Sequence, residues 1–125
     1  MWLNGFVVKV WTWSDAIGAG LTKGLKKLYM TTTFINKATA RKAFSGEMQK
    51  SANRFFRGAT AKSKNFKATE LPEGQRLEFF SPAKNVGYGK RYVQEIDNSG
   101  RVIREFKETI TPEGIKEIKW IHGGP

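Results

Sequence analysis

Hydrophobic and polar positions change rhythm partway along this chain. The spacing is irregular or helix-like before about residue 60 and alternates in short runs after about residue 70. Residues 1–21 are apolar but broken by Lys9, Asp15 and three glycines. That is too interrupted for the roughly 20 mainly apolar residues of a membrane-spanning helix. Ser14-Asp15 predicts a helix cap and a helix running to about Tyr29, weakened by Gly18, Gly20 and Gly24. Over 33–56, Phe34, Ala38, Ala40, Phe44, Met48, Ala52 and Phe55 form an apolar stripe at helical spacing. Lys37, Arg41, Lys42, Lys50, Arg54 and Arg57 supply its polar side, and Gly46 divides the stretch into two helices. Residues 57–69 have no apolar period and read as a flexible basic linker.

The remainder reads as strands over 75–80, 90–97, 101–110 and 115–122. Asn98-Ser99-Gly100 and Thr111-Pro112-Glu113-Gly114 supply turns between them. The expected fold class is therefore α+β, with N-terminal helices packed on a C-terminal antiparallel sheet of about four strands. Within one compact domain of 125 residues, 1–60 is the basic helical segment, 61–70 the linker and 71–125 the sheet.

Charge changes the picture next. The net charge is +11, and residues 1–70 hold 13 Lys and Arg against 3 Asp and Glu, whereas 71–125 hold 9 against 8. An excess of this size speeds capture of polyanions and favours phosphate contact through counterion release. Nucleic acid is the leading partner class. No cysteine is present and His122 is the single histidine. These counts exclude disulfides, thiolate metal sites and a cysteine nucleophile, and argue against a His-rich metal site. No Walker loop, HExxH or GxSxG occurs. Gly87-Tyr88-Gly89-Lys90 precedes a strand rather than a helix, so it does not cradle phosphate at a helix N-terminus.

What fits instead is the side-chain set of a metal-independent ribonuclease. Such an enzyme needs one group to deprotonate a 2′-hydroxyl, another to protonate the leaving oxygen, and cations around the phosphorane. Alternation along 101–110 puts Glu105, Lys107 and Thr109 on one face and Arg104, Phe106, Glu108 and Ile110 on the other. Phe106 and Ile110 mark the second as the buried face, leaving Glu105, Lys107 and Thr109 accessible. On the last strand, Ile118, Trp120 and His122 are expected on one face and Glu117, Lys119 and Ile121 on the other. Histidine is the side-chain type whose unperturbed pKa lies near neutral pH, and the single one here, His122, stands beside a Gly-Gly-Pro tail.

Residues 87–125 also carry a Gly-Lys-x-Tyr strand opening, an Ile-Asp-x-x-Gly-x-Val-Ile-Arg hairpin, a Lys-x-Thr followed by Pro-x-Gly, and an end in His-Gly-Gly. This stretch resembles the C-terminal toxin domain of bacterial polymorphic toxins, the contact-dependent inhibition and Rhs-type effectors. Many of those resemble the barnase, EndoU, colicin D and RelE group of RNases. The resemblance implies cleavage of RNA, often tRNA, to a 2′,3′-cyclic phosphate without cofactor or metal. It implies His122, Lys107, Thr109 and Arg104 on the active surface, with Glu105 standing for a general base that matches no defined position. Lys90, Arg91, Tyr92, Arg101 and Lys119 would contact RNA. It further implies an acidic immunity protein as partner, and an effector tip, secreted and delivered to the target-cell cytoplasm, without stable membrane insertion. The rival readings are a non-catalytic nucleic-acid-binding protein and a membrane-active toxin using residues 1–30. A DNase is disfavoured by the single histidine.

Overall fold

The computed structural model describes the backbone of residues 7–13 and 28–125 and the side chains from Tyr29 onward. In it the chain builds a seven-stranded antiparallel sheet whose spatial order follows the sequence: β1 (Val7–Trp13), β2 (Leu28–Phe34), β3 (Lys64–Leu71), β4 (Gly74–Pro82), β5 (Gly89–Asp97), β6 (Val102–Thr111) and β7 (Gly114–His122). Two helices, α1 (Lys37–Arg41) and α2 (Gly46–Arg57), are inserted between β2 and β3. This corrects the expected sheet of about four strands: two strands precede the helices, and a third occupies most of the expected linker. The helix expected from Ser14 lies mostly outside the described residues, and its last two positions open β2.

Local chemistry explains the difference. Thr31, Thr32 and Thr33 are β-branched and favour a pleated strand over a helix. The helix starts only at Asn36, whose Oδ1 accepts the Thr39 N–H at 2.9 Å from an extended cap conformation. Gly46 has φ +61°, a left-handed geometry that separates the two helices. Gln49 bridges that break: its Oε1 accepts from Phe44 N–H and its Nε2 donates to the Arg41 carbonyl. Arg41 Nε also donates to Asn53 Oδ1 at 2.7 Å, fastening α1 to α2.

The helices cover one face of β2–β5, α1 on β2 and β3 and α2 on β4 and β5. The core between them is built on Phe56, fully buried, whose ring lies 5.2–6.5 Å from those of Phe34, Phe55, Phe66 and Phe79. Ala40, Ala52, Ala59, Ala68, Leu77 and Ile96 complete it. Burying one such aromatic contributes about 3 kcal/mol. α2 is amphipathic, with Ser51, Ala52, Phe55 and Phe56 buried and Lys50, Arg54 and Arg57 outside.

The β5–β6 turn is locked to α2. Asp97 Oδ1 accepts from the backbone N–H groups of Ser99 and Arg101 and from the Ser99 hydroxyl. These bonds, that of the Ser99 hydroxyl first, hold the Asp97 carboxyl below its usual range. Ser51 Oγ donates to the Gly100 carbonyl. Gly100 has φ +83°, and a Cβ there would stand 2.5 Å from the Glu47 carbonyl oxygen.

Candidate nucleic-acid interface

Cross-strand register decides which side chains share a surface. Leu77 and Phe79, beneath the helices, pair with Gln94 and Tyr92 on β5. The same rungs continue outward onto β6 and β7, beyond the reach of α2. One rung runs Gln94, Glu105, His122; the next Tyr92, Lys107, Lys119; the third Lys90, Thr109, Glu117. Directly opposed residues on an antiparallel pair point to the same side, with Cα atoms about 5 Å apart. Seven of the candidate residues, Lys90, Tyr92, Glu105, Lys107, Thr109, Lys119 and His122, therefore lie on one open half-face beside the helices.

His122 reaches this face by an irregularity. Alternation from Trp120 places it with Trp120 and Ile118, but the ladder slips between the Phe106–Trp120 and Glu105–His122 pairs. The extra residue on β7 turns His122 to the Lys119 side. The expected grouping with Ile118 and Trp120 is corrected accordingly.

Arg104 and Arg91 are not brought to this surface. Both lie on the opposite face, each bound to a buried carboxylate. Arg104 Nε lies 3.1 Å from Glu95 Oε1, and Arg76 donates to Glu95 Oε2 through Nε at 3.0 Å and Nη2 at 2.8 Å. Arg91 Nε donates to Glu108 Oε1 at 2.5 Å. Val93 and Phe106 are buried among these pairs, and Phe106 packs on Trp120 with ring centroids 4.7 Å apart. Arg101 is exposed at the β5–β6 turn, away from the rungs. Tyr92 stacks on Phe79 at 5.0 Å, so one side of its ring is already occupied.

Gln94 belongs to the site and carries no sequence motif. It is 8% exposed, its Nε2 donates to Glu105 Oε1 at 3.2 Å, and its Oε1 has no hydrogen-bond partner among the described residues. The signal that could have found it is period two: Gln94 follows Tyr92 on the same face of β5. Gln94 orients the Glu105 carboxylate from the core side, while His122 stands exposed across the ladder. A carboxylate and an imidazole one rung from two lysines can move protons at a phosphodiester while its charge is neutralised. Among the described residues no three His, Cys, Asp or Glu side chains cluster as metal ligands. None of the helices described is long and apolar enough to cross a membrane. The glycine-rich stretch considered as membrane-active lies mostly outside the described residues.

Fold and site together define a basic antiparallel-sheet protein, helix-covered on half of one face and open, polar and cationic on the other half. The chain matches no protein-family profile, no curated protein and no solved structure.

Proposed function

We propose that the β5–β7 half-face is the RNA-cleaving surface of a metal-independent endoribonuclease. The observation that carries this is the β6–β7 register, which sets Glu105 opposite His122 with Lys107 and Lys119 on the adjoining rung. Glu105 takes the proton of the 2′-hydroxyl as the 2′-oxygen bonds to phosphorus. The bond from phosphorus to the 5′-oxygen breaks, and protonated His122 gives its proton to that leaving oxygen. The products are a 2′,3′-cyclic phosphate and a free 5′-hydroxyl. Lys107 offsets charge on the phosphorane, while Lys90, Thr109 and Lys119 contact the flanking backbone. Gln94 holds Glu105 in place. Arg104 and Arg91 have no part in this step.

Two further supports are the +11 charge and the toxin-domain resemblance of residues 87–125, the stretch that forms β5–β7. On that resemblance the substrate is tRNA, the setting is an effector tip delivered to a target-cell cytoplasm, and an acidic immunity protein covers this face. The deciding experiment is total bacterial RNA incubated in EDTA with the wild-type protein, His122→Ala and Glu105→Gln. Discrete cleavage of tRNA-sized species by the wild type alone supports the reading. Intact RNA with a salt-sensitive gel shift would replace it by a non-catalytic binding protein.

A further inference from the structure

β7 ends the strand order, so its outer edge has no partner strand among the described residues. An open edge presents unpaired backbone N–H and C=O groups and invites another strand. Natural edges are commonly blunted by lone lysines or prolines. β7 carries two lysines, Lys116 and Lys119, but also three isoleucines, Ile115, Ile118 and Ile121, that are 45–53% exposed, with one acidic and one basic neighbour around the middle one.

The isoleucines are spaced symmetrically about Ile118, and its two direct neighbours, Glu117 and Lys119, carry opposite charges. When β7 is laid antiparallel on a second copy of itself about Ile118, Ile118 meets Ile118. Glu117 meets Lys119 twice, and both pairs lie inside the regular part of the strand, between the slips at Lys116 and Ile121. Opposite charges across a pair stabilise such a ladder. Neighbouring registers are worse. Centring on Glu117 opposes Glu117 to Glu117 and centring on Lys119 opposes lysine to lysine, while centring between two residues would oppose side chains of opposite faces, which an antiparallel pair does not allow. The stretch from Glu117 to Trp120 is also the regular part of β7, between its two register slips.

We infer that two copies of this chain pair through β7 in this register, joining their sheets edge to edge. The two-fold axis is perpendicular to the joined sheet, so the Lys107, Lys119 and His122 faces of both copies lie on the same side as one continuous surface. The inference does not depend on the ribonuclease reading.

The test uses charge reversal and a single cysteine, read by sedimentation and cross-linking. The wild-type protein is expected to sediment at twice 14.1 kDa. Glu117→Lys and Lys119→Glu each halve that mass, and the double swap restores it, because the opposite-charge pair is rebuilt with its signs exchanged. Because the chain has no cysteine, Ile118→Cys provides one thiol that faces its own copy within disulfide reach. It is expected to oxidise to a covalent dimer, whereas Ile115→Cys, three residues from the two-fold axis, is not. A monomeric wild type, a double swap that stays monomeric, or equal cross-linking of the two cysteine variants would overturn the inference.

Discussion

Arg104 Nε and Glu95 Oε1 lie 3.1 Å apart on the sheet face opposite the one carrying Glu105, and the other oxygen of the same carboxylate is held by Arg76. Glu95 is buried between two half-exposed guanidinium groups, so its charge is matched twice. Hydrogen bonds to a charged group contribute about 1.5–3 kcal/mol, and the exposure of both arginines places this cluster near the lower end. Glu95→Gln is expected to lower unfolding free energy by about 1.5 kcal/mol in urea titrations. Arg104→Ala is expected to leave RNA cleavage at the wild-type rate. A loss of cleavage in a folded Arg104→Ala protein would return that arginine to the active surface.

Gly74 closes the β3–β4 turn against β5. A Cβ there would stand 1.8 Å from the Ile96 carbonyl oxygen and 2.7 Å from Asp97 Cα, both backbone atoms of the neighbouring strand. Gly74→Ala is therefore expected to cost about 3 kcal/mol. Gly46→Ala has open space around its Cβ but keeps φ at +61°, and is expected to cost about 1 kcal/mol. Chemical denaturation of the two variants side by side checks the order.

Phe56 joins the helical pair to the sheet, with four phenylalanine rings around it. Phe56→Ala is expected to cost about 4 kcal/mol, a large share of the roughly 5–15 kcal/mol that stabilises a domain. Phe44→Ala, at a residue only packed against the rim of this cluster, is expected to cost less. The comparison is read from urea midpoints.

These positions show what a linear reading captures. β4 to β7 were legible because their alternation and turn chemistry are local, from Asn98-Ser99-Gly100 to Thr111-Pro112-Glu113-Gly114. β2 was hidden because Phe34 falls in phase with the helical stripe that continues through Ala38 and Ala40, although three successive threonines favour a strand. β3 was hidden because its buried face consists of Phe66 and the small Ala68, and because a register slip between Lys64 and Lys67, with Asn65 at φ 58°, disturbs its period. The site was legible in part for the same reason. Glu105, Lys107 and Thr109 follow from alternation within one strand. The side that His122 faces depends on a slip between strands, and the capture of Arg104 depends on Glu95, a residue of another strand. Neither is written in the local pattern.

Asp97 gives the fold an acid-sensitive contact. Its carboxyl is held below the usual range by hydrogen bonds from Ser99 and Arg101. A carboxylate whose folded-state pKa is depressed contributes stability above its unfolded pKa, near 4, and loses it as pH falls through the lower folded value. Asp97→Asn keeps an oxygen for the turn but removes the charge. The wild type is expected to be the more stable of the two at pH 7. The gap should close as pH falls below about 4, as followed by urea unfolding across a pH series.

Within one chain, Lys107 and Lys119 share a rung with no carboxylate directly opposite either of them. On the proposed RNA face Lys107 is free to neutralise one phosphate, and so is Lys119 in a chain whose β7 edge is not paired with a second copy, whereas Arg91 is already bound to Glu108 on the other side of the sheet. Every phosphate neutralised on single-stranded RNA contributes about 0.7 to the slope of log affinity against log salt. Binding measured in the His122→Ala background, where RNA stays intact, is expected to lose about 0.7 of slope with Lys107→Ala and again with Lys119→Ala. Arg91→Ala is expected to leave the slope unchanged. If Arg91→Ala lowers the slope while Lys107→Ala does not, RNA lies on the Arg91 face. The Glu105–His122 pair would then be too far from the phosphate to act on it.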